Sequence, residues 1–161
     1  MIELQTIPND CVINFKFSTL ESKEKIKEEI FSLGESFKIV KISSVFKRKL
    51  RESKLEIQEF VIRAETDLTA LETNKKLNLR KQNVSFSFST ELLIFNHEVF
   101  LSPQMTLPHP NVILDPLTLH CCSEVWPDYE HPVNKNILRN IDLSTEAKGF
   151  EFIYQGKVFL D

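Results

Sequence analysis

Between Gln82 and Asn134 the chain carries no Lys or Arg, yet Glu91, Glu98, Asp115, Glu124, Asp128 and Glu130 fall there. A phosphate-bearing ligand meeting that stretch needs cations from elsewhere, because phosphate charge is met by Arg, Lys or a metal ion. Lys47-Arg48-Lys49-Leu50-Arg51-Glu52-Ser53-Lys54 is one source. It reads either as a solvated connection or as a basic lid over a phosphate site. Lys75, Lys76, Arg80 and Lys81 crowd the end of a helical pattern, where cations suit the macrodipole. His109 stands on a stiff Leu107-Pro108-His109-Pro110 corner, since each proline fixes φ and restrains the residue before it. His120-Cys121-Cys122 has metal-ligand residue types. Adjacent side chains diverge, however, and structural zinc sites space their cysteines, so buried thiols on a helix are the better reading. Glu91 on its own reads as a solvated strand end.

The elements that must position these residues follow from periodicity. Cys11 to Phe17 alternates, with Phe15 and Phe17 on one side and Asn14 and Lys16 opposite, which predicts a strand. Ser22 is a fitting N-cap for a helix with Ile26, Ile30 and Leu33 on one stripe and Gly34 at its end. Phe37 to Phe46 and Leu55 to Thr66 read as strands two and three. A second helix starts at Leu68-Thr69, with Leu68, Leu71 and Lys75 or Leu79 on its face. Val84 to Phe95 alternates Ser and Phe before a continuous apolar run, a strand that ends in an Asn96-His97 turn and a short return strand. Asp115 to Cys122 and Asn134 to Ile141 read as short helices, and Phe150 to Tyr154 with Lys157 to Leu160 as a terminal hairpin. The order is that of a ferredoxin-like βαββαβ α+β sandwich with extra short helices and that C-terminal hairpin.

The chain reads as one domain over 1–161, with a polar lead-in from Met1 to Asp10. It is 42% hydrophobic and 27% charged, an ordinary globular composition, and its 13 Phe point to a Phe-dominated core. A net charge of −3 gives no general signal for nucleic acid or an anionic membrane. No leader pattern and no long apolar span is present, and an odd count of 3 Cys argues against a disulfide framework. A reducing cytoplasm fits this best.

The ordered set Ser89-Thr90-Glu91-Leu92-Leu93-Ile94-Phe95, Leu107-Pro108-His109-Pro110, Val112-Ile113-Leu114-Asp115-Pro116-Leu117 and His131-Pro132 resembles 6-hydroxymethyl-7,8-dihydropterin pyrophosphokinase. This is the folate-pathway enzyme that moves pyrophosphate from ATP to a pterin alcohol. Upstream, Lys38 to Phe46 resembles the family's second strand, and Val61 to Leu68 its third strand entering the second helix. The resemblance runs from Val12 to Ile141 and implies the same βαββαβ fold.

It also implies Mg²⁺ and ATP as cofactor and co-substrate, and a pterin as acceptor. The family places two Asp at the positions of Ser89 and Glu91, where i and i+2 on a strand share one face. Ser89 is neutral, so Glu91 alone remains as a metal carboxylate. The resemblance puts His109 on the nucleotide phosphates and leaves Arg80, Lys81, Lys47 and Arg48 as the available phosphate cations. The residue that reads the pterin edge falls at Glu59, and the stacking aromatic at Ile57 or Val112. Neither aliphatic side chain stacks as a ring does. A first-strand Gly-Ser-Asn becomes Phe17-Ser18-Thr19, which closes the near approach that glycine permits. The Arg-rich loop shrinks to Gln82-Asn83-Val84-Ser85. Two readings stay open. One is a divergent pyrophosphokinase, weakened or without activity. The other is a non-catalytic relative that binds small molecules or a protein partner.

Overall fold

The computed structural model describes residues 7–49, 56–81, 88–141 and 149–161, with the side chains of 49, 80, 81 and 88 outside that description. The basic stretch 50–55 and the shortened loop 82–85 therefore lie outside the described residues.

The long apolar strands pair as one antiparallel sheet. β1 (Asn9–Ser18) lies between β4 (Glu56–Thr66) and β5 (Phe88–Phe95). The other side of β4 is shared by β2 (Phe37–Ile42) and β3 (Ser44–Lys49). The strand expected over Phe37 to Phe46 is thus two strands. The break falls at Ser43, whose hydroxyl accepts the Val61 N–H at 2.9 Å and donates to the Ser44 carbonyl at 2.9 Å. A side chain has taken a ladder bond, and the backbone turns there. β8 (Phe150–Gln155) pairs with β3 and closes the order β5-β1-β4-β3-β8.

Both faces of the sheet are covered. Phe15, Phe17 and Phe60 stack on one face, with the Phe15 and Phe60 centroids 5.3 Å apart. They pack under α1 (Lys23–Phe31) and α2 (Ala70–Lys81), which contribute Ile26, Ile30 and Leu77. Ser22 caps α1 by accepting the Lys25 N–H at 3.1 Å, and Gly34 takes φ +77° beyond its end. Thr69 and Glu72 cap α2 reciprocally at 3.2 and 3.1 Å. The opposite face, with Val12, Val61 and Leu93, lies under α3 (Asn111–Leu114) and α4 (Pro116–Val125). Cys121 and Cys122 are free thiols buried on α4. Burial pushes both well above the ordinary thiol value, which leaves them poor metal ligands. Among the described residues no three His, Cys, Asp or Glu side chains converge as metal ligands.

Three local expectations need correction. The face of α2 that packs is Ala70, Thr73 and Leu77, while Leu71 and Leu79 are exposed. The capping box starts the helix at Ala70 and sets its phase against the sheet. Leu77→Ala therefore lowers stability by about 2–5 kcal/mol, whereas Leu71→Ala stays within about 0.5 kcal/mol, read from urea unfolding midpoints. Beyond the turn at Asn96 (φ 48°), β6 (Phe100–Leu101) does not return along β5. It pairs with β7 (Thr106–Leu107), closed by reciprocal backbone bonds between Ser102 and Met105. The outer carbonyl of Leu93 accepts the His109 N–H at 2.8 Å instead. The terminal hairpin is half realised: β8 is a strand, but Gly156–Leu160 is a 3-10 turn. There Phe159 reaches the core, 5.2 Å from the Phe60 ring, burial that a solvent-facing hairpin arm would forgo.

Candidate functional site

Cross-strand partners in an antiparallel pair share a face, so register alone assembles the site. Lys16 lies opposite Ser89 on one side and Glu59 on the other, and Glu59 lies opposite Phe46. One pair further along β1, Asn14 faces Glu91 and Val61. One pair in the other direction, Ile57 faces Ser18 and Arg48. The sheet face under α3 and α4 therefore gathers Ser89, Glu91, Glu59, Ile57 and Arg48, with Val112 buried in the helical cover above.

Glu59 is fully buried, and its carboxylate is the hub of a polar network. Arg48 Nη2 donates to Glu59 Oε2 at 3.1 Å and to Asp115 Oδ2 at 2.6 Å. Asn14 Nδ2 donates to Glu59 Oε2 at 3.4 Å, and Lys16 Nζ stands 3.9 Å from Glu59 Oε1. Asp115, preceding Pro116 at the start of α4, also accepts from Thr118 Oγ1 at 2.7 Å. Burial raises the Glu59 pKa above the ordinary carboxylate value, partly offset by Arg48, Lys16 and Asn14. Burial also works against the Asp115 charge, but the bonds from Arg48 and Thr118 outweigh it and hold that pKa below the ordinary value. Asp115 therefore adds stability above its ordinary value of 3.8, lost as pH falls through its folded value; Glu59 acts in the opposite sense. Asp115→Asn is expected to flatten the loss of stability below pH 3.8, followed as the urea midpoint against pH.

At the end of β5, His109 Nε2 donates to Glu91 Oε1 at 2.8 Å, while His109 Nδ1 accepts the Asn111 N–H at 3.1 Å. Both ring nitrogens are engaged, which holds the imidazole in one orientation. His109 stands on the proline corner, whose Leu107–Pro108 bond is cis. Glu91 and His109 border a cleft of about 410 Å³ between α2, β5 and the β6–β7 ribbon. Leu77, Leu92 and Met105 line it together with Asn74, Gln104 and Asn111.

The other site candidates separate from this group. Lys47 lies on the opposite sheet face, across from Gln58, and pairs with Glu151 at 3.3 Å and Glu56 at 3.8 Å. Arg80 and Lys81 close α2, and their side chains lie outside the described residues. Asn14, Lys16 and Asp115 are site residues that sequence reasoning passed over. Alternation placed Asn14 and Lys16 on the side of strand one opposite Phe15 and Phe17 and gave them no role; Asn14 is buried because α3 and α4 cover that side too. The one available signal was an Asn and a Lys alternating inside an otherwise apolar strand.

These residues do not fit a two-magnesium centre. Ser89 is neutral, Glu91 is held by His109, and the Lys16 ammonium stands across the strand from Ser89. Carboxylate oxygens are what such ions require, and a neighbouring ammonium opposes them.

No protein-family model matches the chain, and no curated protein matches it. Solved structures do. A double mutant of Plasmodium falciparum HPPK-DHPS with pterin and p-hydroxybenzoate has a TM-score of 0.71 at 10% identity, covering 95% of this chain and 49% of that one. The wild-type P. falciparum protein with the same two ligands has a TM-score of 0.69 at 10% identity, over 95% and 46%. The wild type with pteroate gives 0.66 at 11%, over 86% and 42%. The chain thus spans less than half the length of these structures. At such identities the likeness speaks for architecture: the chain has a pterin-pyrophosphokinase-like α+β fold.

Proposed function

We propose that the chain is a non-transferring relative of the pterin pyrophosphokinases, a binding module on that fold. The observation behind this reading is the Glu59–Arg48–Asp115 network. It occupies, with the protein's own charges, the place where the resemblance puts pterin recognition. A bound pterin would have to displace a guanidinium held by two carboxylates, one of them fully buried. Removing one member of such a buried set costs about 3–5 kcal/mol, which sets a high threshold for the acceptor. Loss of the paired metal carboxylates at Ser89 and Glu91 removes the second requirement of pyrophosphoryl transfer.

A residual kinase is the second reading. The juxtaposition of Glu91 and His109 in the lining of the 410 Å³ cleft favours it. A coupled assay for AMP from ATP, Mg²⁺ and 6-hydroxymethyl-7,8-dihydropterin separates the two, because AMP arises only if pyrophosphate moves. No AMP above the enzyme-free rate is expected. AMP that depends on the pterin, and that disappears in Glu91→Ala, would establish the kinase instead.

A further inference from the structure

We infer that the cleft between α2, β5 and the β6–β7 ribbon takes a small organic cation with an apolar body, and not a phosphate-bearing ligand. The inference rests on the non-transferring reading above and names the ligand class of that binding module. Charge carries it first. Among the described residues no Lys or Arg lines the cleft, and Glu91 and His109 are its only titratable side chains. His109 Nε2 lies 2.8 Å from Glu91 Oε1. The pair is neutral with the ring protonated and negative with it uncharged, so the lining is never positive. A polyanion finds no counter-charge there. A cation finds a carboxylate, whose lone pairs one imidazole bond does not exhaust.

A second, independent observation is Thr90. It lines the cleft at 1% exposure, and its hydroxyl has no hydrogen-bond partner. A buried hydroxyl left unpaired is costly, and a ligand N–H supplies the partner. Register shows how the two groups meet one ligand. Thr90 lies across from Phe15 and Leu92 across from Ile13, on the face under α2, while Glu91 lies across from Asn14 on the other face. The cleft therefore wraps the outer edge of β5 and draws on both sheet faces. Leu77, Leu92 and Met105 give it an apolar lining, of use to an organic body and not to a bare metal ion.

Benzamidine, benzamide and benzoate have nearly one shape and are cationic, neutral and anionic in turn. Amide chemical shifts of the whole chain, followed through titrations with each and with ATP in EDTA, test the inference. Benzamidine is expected to move the amides of Thr90, Glu91 and Asn111 and to bind about fivefold or more tighter than benzamide. Benzoate and ATP should leave those amides in place. Glu91→Gln should bring benzamidine down to the affinity of benzamide. Thr90→Val should weaken both, yet leave the thermal midpoint unchanged or raised, because it removes a hydroxyl that bonds no described residue. Benzamide binding as tightly as benzamidine, benzoate or ATP moving the same amides, no shift with any probe, or undiminished benzamidine affinity in Glu91→Gln would each overturn the inference. The wild-type series decides even if a variant fails to fold, which circular dichroism reports. No shift with any probe sinks this inference while leaving the non-transferring reading intact; pterin-dependent AMP in the coupled assay sinks that reading itself.

Discussion

Arg48→Ala unfolds at markedly lower urea than the wild type, a loss of about 3–5 kcal/mol, because the substitution leaves a charged group stranded in the interior. Arg48 donates to both Glu59 and Asp115, and Glu59 has no exposure to solvent. Without the guanidinium, Glu59 keeps only an Asn14 bond at 3.4 Å and Lys16 at 3.9 Å. It must then bind a proton or draw water into the sheet face. The cost is that of the orphaned carboxylate, so adding Glu59→Gln to Arg48→Ala should recover much of the loss. Replacing the pair with apolar residues of similar volume should come out near neutral. If Arg48→Ala unfolds at the wild-type midpoint, the network does not carry the charge balance assigned to it, and the main obstacle to a pterin disappears with it.

Gly156→Ala is the second large effect. A Cβ at this position would stand 2.1 Å from the Ser43 carbonyl oxygen and 2.4 Å from Ile42 Cγ2. The first of these is backbone, held by the Ser43 N–H bond to Val61, and cannot swing aside. The turn Gly156–Leu160 must lift away from the junction of β2 and β3, and Phe159 leaves the core beside Phe60 and Tyr154. Overpacking of this kind costs about 1–3 kcal/mol, and loss of Phe159 burial brings the total to the upper end. Thermal unfolding reads it, and faster amide exchange in 156–161 than in β4 would place the damage. Unchanged stability would mean that the terminal turn contributes nothing to the fold.

Much of the architecture was legible in residue order because it depends on local periodicity. The alternation around Phe15 and Phe17, the Ser22 cap and the Leu-Pro-His-Pro corner are each written in neighbouring residues, and each forms where expected. The phase of α2 was not legible. Leu71 and Leu79 form as good an apolar stripe as Ala70, Thr73 and Leu77, and the cap and the sheet choose between them. The terminal hairpin failed for a related reason. The alternation was present, but Phe159 had a core to enter that no local pattern announces.

At the site, residue types alone sufficed to say that Ser89 is neutral beside an acidic Glu91 and that the stretch from Gln82 to Asn134 lacks Lys and Arg. They could not say where compensating charge stands, because that depends on which strands lie side by side. Arg48 and Lys47 are neighbours in the chain, yet the pleat sends one to Glu59 and Asp115 and the other to Glu151 on the far face. Lys16, placed by alternation only on the side opposite Phe15 and Phe17, comes within 3.9 Å of the buried Glu59 once β1 is seated between Ser89 and Glu59. Chain order sets the alternation of side chains; only the pairing of distant strands brings opposite charges within reach of one another.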